Sequence, residues 1–374
     1  MRRIIPLVLC MSLLLCGCLG TKQVPTGTAP AIRATTPPTT EEVTVPPTTE
    51  EVTVPPTTEE TEPVILYRHP ITGEPLQEQM TTRPVAVIIN NINHAQPLHG
   101  IGAADLICEI MAEGGGGITR LLAVFTDLES AGKIGSVRSA RTYLLDLARA
   151  FDAPIVHCGY SDYAQQEIWR TKYPSFNQFF YSDYFYRDQA RLNAGYSKEH
   201  TLFTDGEKLL QGMTANGFDL VNEEGTDFGL TFTDAQVLEG QSANKIAFHF
   251  YRDAGKQTVL EYDAEADAYI GTQVWSNKSV KFADANTKEN VPFRNVLLLY
   301  ARTSTDGYRY FADLVGEGNG YYAYGGQIIP IKWYRESATE PFDYALEDGT
   351  PLSLSVGKTY MAVIPIGSPE LEIQ

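Results

Sequence analysis

Cysteine is scarce in this chain of 374 residues: there are five, and three of them, Cys10, Cys16 and Cys18, fall at the very start. Cys108 and Cys158 remain, each inside an apolar run (Leu106-Ile107-Cys108 and Ile155-Val156-His157-Cys158), which favours buried free thiols over a disulfide. Neither has metal-finger spacing, and His94 and His99 sit in a loop without carboxylates at ligand spacing, so no metal is expected. Basic charge is also short, with 29 Lys and Arg against 46 Asp and Glu, a formal net charge of −17. Nucleic acid is therefore excluded as a partner, since its capture relies on clustered cations. Catalytic signatures are missing as well. There is no Gly-x-Ser-x-Gly, no His-Glu-x-x-His, no Walker loop and no dinucleotide glycine fingerprint, so no cofactor is called for. After the first residues no apolar run reaches the ~18 residues of a membrane span.

What is present begins with a leader. Met1-Arg2-Arg3 is a positive start, Ile4 to Leu15 is an apolar run too short to stay as a spanning helix, and Leu15-Cys16-Gly17-Cys18 closes it. This resembles a lipoprotein signal, with an aliphatic residue three before an acceptor cysteine and a small one just before it. Residues 1–17 are then a signal peptide, and Cys18 is the expected acylated residue, bearing palmitate-type chains and tethering the mature chain to the outer face of a bacterial membrane. Residues 18–63 read as a disordered linker. Pro-Pro-Thr-Thr-Glu-Glu-Val-Thr-Val begins at Pro37, repeats at Pro46 and starts again at Pro55. Such a composition buries too little apolar area to offset ordering entropy, and as an extended spacer it reaches roughly 100 Å.

Residues 64–220 read as an α/β domain with a mixed sheet, because apolar strands alternate with helices. Strands are predicted over Arg83–Asn91, Ala103–Ala112 and Ile118–Thr126, the last two forming a hairpin around Gly114-Gly115-Gly116-Gly117. Placing Glu113 opposite Ile118 puts Met111 opposite Arg120, so that Glu109, Glu113 and Arg120 share a face. Next comes Lys133-Ile134-Gly135-Ser136-Val137-Arg138-Ser139-Ala140-Arg141, with Ser139 expected to cap the helix that follows. A helix start flanked by two arginines is a ready anion receptor; equally, Arg138 and Arg141 can pair with acidic neighbours to fix the fold. Ser161 is expected to cap a second helix, and Thr204-Asp205-Gly206-Glu207 has capping-box spacing before a third. Residues 240–374 read as a mostly β domain, with Gly316-Glu317-Gly318-Asn319-Gly320 taken as a turn between strands.

The motifs Arg83-Pro84-Val85-Ala86-Val87, Ala104-Asp105-Leu106-Ile107-Cys108-Glu109, Gly117-Ile118-Thr119-Arg120, Ile134 to Arg141 and Phe185-Tyr186-Arg187-Asp188 resemble the N-terminal domain of YerB-type bacterial lipoproteins. Arg294-Asn295-Val296, Gly325-Gly326-Gln327-Ile328, Trp333, Asp348-Gly349-Thr350-Pro351 and Gly357-Lys358-Thr359 resemble that family's C-terminal domain. The tetraglycine is longer than the family's usual turn, and Gly135-Ser136-Val137 stands where members often have Gly-Pro-Val. The resemblance implies a location and an architecture; the family is known as a domain of unknown function.

Two function classes follow. In the first, Arg120, Arg138, Ser139, Arg141 and Arg187 form an arginine-lined anion site on a binding or scaffolding module of the cell envelope, whose partners are an anionic wall polymer or an envelope protein. In the second, the candidate acid/base groups Glu109, Glu113, Asp188, His157 and His200 serve a hydrolase or transferase acting on a phosphorylated or glycosidic envelope polymer. His157, inside an apolar strand, is more readily a hydrogen-bonded core histidine. Tyr181, Tyr184, Phe185 and Tyr186 suit either a core or a stacking surface, with core favoured.

Overall fold

The computed structural model of the chain describes residues 67–113, 118–223, 225–234, 238–251 and 256–374. The leader, Cys18, the linker and the tetraglycine turn lie outside the described residues. Glu62–Gln374 is one compact unit.

Three strands, β1 (Val85–Asn91), β2 (Leu106–Met111) and β3 (Thr119–Phe125), are buried at every position. Their nearly unbroken apolar runs demand cover on both faces, the pattern of a strand inside a sheet rather than at its edge. Both halves of the chain supply the neighbours. In the first half these are β4 (Lys133–Gly135), α1 (Thr142–Arg149), β5 (Ile155–His157), α2 (Asp162–Thr171) and β6 (Ser175–Asn177). They are followed by β7 (Tyr186–Arg187), α3 (Gln189–Asn193), β8 (Leu202–Asp205) and α4 (Gly206–Ala215). The second half is mostly β and contains β9 (Lys245–His249), β10 (Lys256–Asp263), β11 (Ala268–Trp275), β12 (Asn295–Ala301), β13 (Gly316–Tyr324), β14 (Gln327–Arg335) and β15 (Thr359–Pro365).

An eleven-stranded mixed sheet runs β14-β13-β12-β15-β2-β3-β1-β5-β6, with short strands at Gln241–Ser242 and Asp343–Leu346 both paired to β14. The joint between the halves is the parallel pair β15 and β2, in which Thr359 faces Leu106 and Val363 faces Ile110. The change of texture after residue 220 is thus a change from helix-rich to strand-rich sequence across which the sheet continues. A six-stranded antiparallel sheet holds β9, β10 and β11, and a three-stranded one joins β4, β8 and β7. No helix among the described residues is long and apolar enough to cross a membrane.

Four local expectations are corrected. Arg120 pairs with Ile110, and Thr119 with Met111, one residue away from the expected register. Because strand side chains alternate, Glu109 and Arg120 lie on opposite faces. The residues Gly316 to Gly320 form the first half of β13 rather than a turn. Gly318 lies opposite Trp333, where a Cβ would come within 2.5 Å of the indole, so glycine there makes room for a ring and marks no bend. Helix α1 has Arg141 at its N-cap without a side-chain cap bond, so Ser139 is not the cap. The capping box is likewise unmade: Thr204 Oγ1 donates to the Tyr184 carbonyl instead. Ser161 does cap α2, its hydroxyl accepting from the Ala164 N–H at 3.3 Å.

Candidate functional site

The extended segment between β4 and α1 positions the arginines. Arg138 N–H donates to the Ile88 carbonyl, Cys158 N–H to the Arg138 carbonyl, and Ala140 N–H to the Gly159 carbonyl, so the segment is stitched between β1 and the end of β5. Side chains consequently leave it in opposite directions. Arg141 turns toward Glu113, donating to Oε1 at 2.6 Å, and Arg120 donates to the same oxygen at 2.7 Å. Arg120 also holds the Ser139 carbonyl, and Arg141 the Ala140 carbonyl at 2.9 Å. One carboxylate thus ties two guanidinium groups to the segment. Burial, with the Arg141 charge next to it, pulls the Arg120 guanidinium below its ordinary value, while Glu113 opposes this. These two arginines are structural ion-pair partners.

Arg138 and Arg187 have a different environment. Together with Ser139, Lys198, Glu199, Cys158 and Phe179 they line a cleft of about 520 Å³. Arg187 donates to the Lys198 carbonyl at 2.5 Å and Arg138 to the Glu199 carbonyl at 3.5 Å, and neither makes an ion pair among the described residues. Arg138 Nε is shut off from solvent without a hydrogen-bond partner among the described residues. Burial lowers the Arg138 pKa, and the Glu199 carboxylate is the largest influence opposing it. Phe179 is 68% exposed and forms an apolar lip. Cys158 is a half-buried free thiol whose pKa burial raises against the pull of Arg187 and Arg138; Cys108 is free and fully buried.

The acid/base candidates do not assemble. His157 is buried, with Nδ1 on the Gly159 carbonyl at 2.7 Å and Nε2 on the Ser175 hydroxyl at 2.6 Å; burial pushes its pKa down to about 4. His200 is buried against Asn90 at 2.9 Å, and burial lowers its pKa too. Asp188 caps α3 through the Arg191 N–H at 2.8 Å and accepts from Lys133 Nζ. Glu109 is fully buried against Lys256, on the far face of the sheet from Arg120. No group of three or more His, Cys, Asp or Glu is placed to hold a metal among the described residues. Of the aromatic run, Tyr181 stacks on Phe176 at 4.3 Å and Tyr184 and Phe185 pack around the same ring, while Phe179 and Phe180 just before them are exposed.

Sequence reasoning did not find Lys198, which enters the cleft from the turn before β8, nor the buried Lys256. A lysine in a surface-type turn carries no signal of its own. Glu109, a carboxylate alone in Leu106-Ile107-Cys108-Glu109-Ile110-Met111, is the signal that could have pointed to Lys256, since a buried carboxylate needs a partner.

This two-part architecture, an α/β half and a mostly β half on one sheet, defines a family. Residues 71–219 match the N-terminal domain, and residues 246–361 the C-terminal domain, of the protein family of unknown function DUF3048, and the chain belongs to it. It is 29% identical over 305 residues to YerB of Bacillus subtilis (strain 168), which is named as a lipoprotein, covering 79% of this chain and 86% of that one. The crystal structure of the Bacillus subtilis YerB protein superposes with a TM-score of 0.69 at 25% identity, covering 82% of this chain and 99% of that structure.

Proposed function

We propose that this chain is an envelope lipoprotein, held outside the cell membrane by acylation at Cys18, that binds an anionic group in the cleft between Arg138 and Arg187. The observation that carries the reading is the contrast between two arginine pairs: Arg120 and Arg141 share Glu113, whereas Arg138 and Arg187 line a cleft and make no ion pair among the described residues, although Glu199 also lines it, 3.4 Å from His200 Nε2. Guanidinium groups present planar forks of donors suited to phosphate or carboxylate, and Lys198 adds a flexible third charge. The Ser139 hydroxyl lies at the cleft wall, and Phe179 offers a face for the apolar part of a ligand such as a sugar ring. Binding without turnover is the favoured activity, since the histidines that a reaction would use are buried and hydrogen-bonded elsewhere.

The test is thermal. Phosphate, pyrophosphate and anionic wall-polymer fragments are titrated into the full chain while its melting midpoint is followed, because a ligand of the folded state alone must raise it. A rise that is lost in Arg138→Ala and in Arg187→Ala is expected. No rise with any of these anions, or a rise that survives both substitutions, rejects the cleft as an anion receptor.

A further inference from the structure

On the face of the sheet remote from Arg120, a second polar cluster is sealed between the two halves of the chain. Asn91 closes β1, Glu109 lies in the middle of β2 and Lys256 opens β10; exposures are 0%, 0% and 1%. Lys256 Nζ and Asn91 Nδ2 donate to one and the same atom, Glu109 Oε1, the amide at 2.9 Å. The carboxylate is held from every other side. Thr119 donates to Oε1 at 2.5 Å, and Thr258 at 3.1 Å and the Tyr360 phenol donate to Oε2. Thr258 also accepts from Lys256 Nζ at 3.0 Å, and the Phe250 ring centroid lies 5.1 Å from that nitrogen.

A charged lysine and carboxylate taken out of water cost several kcal/mol each before their attraction is counted. Passing one proton from Nζ to Glu109 removes both charges. The product is a neutral primary amine, a nucleophile, held on the same carboxylate oxygen as a primary amide in a buried site. Burial lowers the Lys256 pKa, in the direction this transfer needs, with Glu109 opposing.

We propose that Lys256 and Asn91 join in an intramolecular amide cross-link, with Glu109 as the proton carrier. The Nζ lone pair forms a bond to Cγ of Asn91. A proton then passes from Nζ through Glu109 Oε1 to Nδ2, the Cγ–Nδ2 bond breaks, and ammonia leaves. No oxidant, reductant or other reactant is consumed. The shared oxygen accounts for the proton path, since the atom that touches the attacking nitrogen also touches the leaving one. The new bond ties the central sheet to the antiparallel sheet and removes chain freedom from the unfolded state alone. The link is independent of the arginine cleft, and its test does not involve anions.

The full chain is digested under denaturing conditions and its peptides are sequenced by mass spectrometry. The expected result is a single branched species in which the Asn91 and Lys256 peptides are joined, lighter than their sum by one ammonia, with Lys256 resistant to trypsin. Asn91→Asp is expected to give the same branched species, lighter than the sum of its own peptides by one water. Glu109→Gln is expected to give separate linear peptides while far-ultraviolet circular dichroism still reports a folded chain. The wild-type digest decides the matter even if that variant does not fold. Quantitative recovery of a linear peptide with free Lys256 overturns the proposal, as does a branch on Glu109, recognised in the wild type by loss of water in place of ammonia. A branched species that persists in Glu109→Gln removes Glu109 from the step.

Discussion

His157 illustrates how a single side chain can be given a chemical role or a structural one by its partners. The Gly159 carbonyl is only an acceptor, so Nδ1 must carry the proton, which leaves Nε2 free to accept from Ser175. The neutral ring is fully satisfied, and a second proton would put a charge where burial keeps water away. An unfolded histidine titrates near ~6.5, whereas burial holds His157 at about 4. The unfolded chain therefore takes up a proton first as pH falls. His157 contributes its full stabilisation above roughly pH 6.5 and loses it progressively as pH drops through the folded value, a change of about 3 kcal/mol. Nuclear magnetic resonance titration of the His157 ring in the full chain should give a midpoint near the folded value. Urea unfolding should show a shallower pH slope between 6.5 and 4 for His157→Gln than for the wild type; an ordinary midpoint near 6.5 contradicts the assignment. Residue roles of this kind were legible where burial followed from the neighbours in sequence, as for His157 in its apolar strand. They were illegible where the partner came from far along the chain. Lys256 begins a strand whose first apolar residue, Val259, comes three positions later, so only its meeting with Glu109 reveals it.

At the level of elements, position was easier to read than register. The apolar runs announced β1, β2 and β3, and Ser161 announced α2, because each signal is local. The pairing of β2 with β3 rests on the turn between them, and a slip of one residue put Arg120 on the face opposite Glu109. Helix α4 shows packing overriding propensity. Gly206 is its first residue, and a Cβ there would lie 1.6 Å from the Leu128 carbonyl oxygen. Alanine is the better helix former by about 1 kcal/mol, but forcing atoms into a filled contact costs about 1–3 kcal/mol or more. Gly206→Ala is therefore expected to lower stability by roughly 2 kcal/mol, measured by chemical denaturation. Gln211→Ala, on the exposed face of the same helix, should stay within about 0.5 kcal/mol of the wild type. A stabilised Gly206→Ala would show that the helix start can back away from Leu128.

For the whole molecule, the function proposed above requires a lipid anchor at Cys18. Metabolic labelling with palmitate is expected to mark the wild-type chain in a bacterial host and to be lost in Cys18→Ala, with that variant recovered apart from the membrane fraction. Label retained in Cys18→Ala would place the anchor elsewhere. The mixed character of the sheet was legible from the alternation of strands and helices in the first half, but its continuity was not. Nothing local in Thr359–Pro365 names Leu106–Met111 as its neighbour, since a parallel pair leaves no turn between its strands. That pairing also imposes an order in time. Strand β2 waits for a partner that is made about 250 residues later, an interval of roughly 12–50 s at ~5–20 residues per second. Throughout that interval one side of β2 offers open backbone groups to any other strand. Biogenesis of this chain thus has a vulnerable window, closed only when nearly all of it has been made.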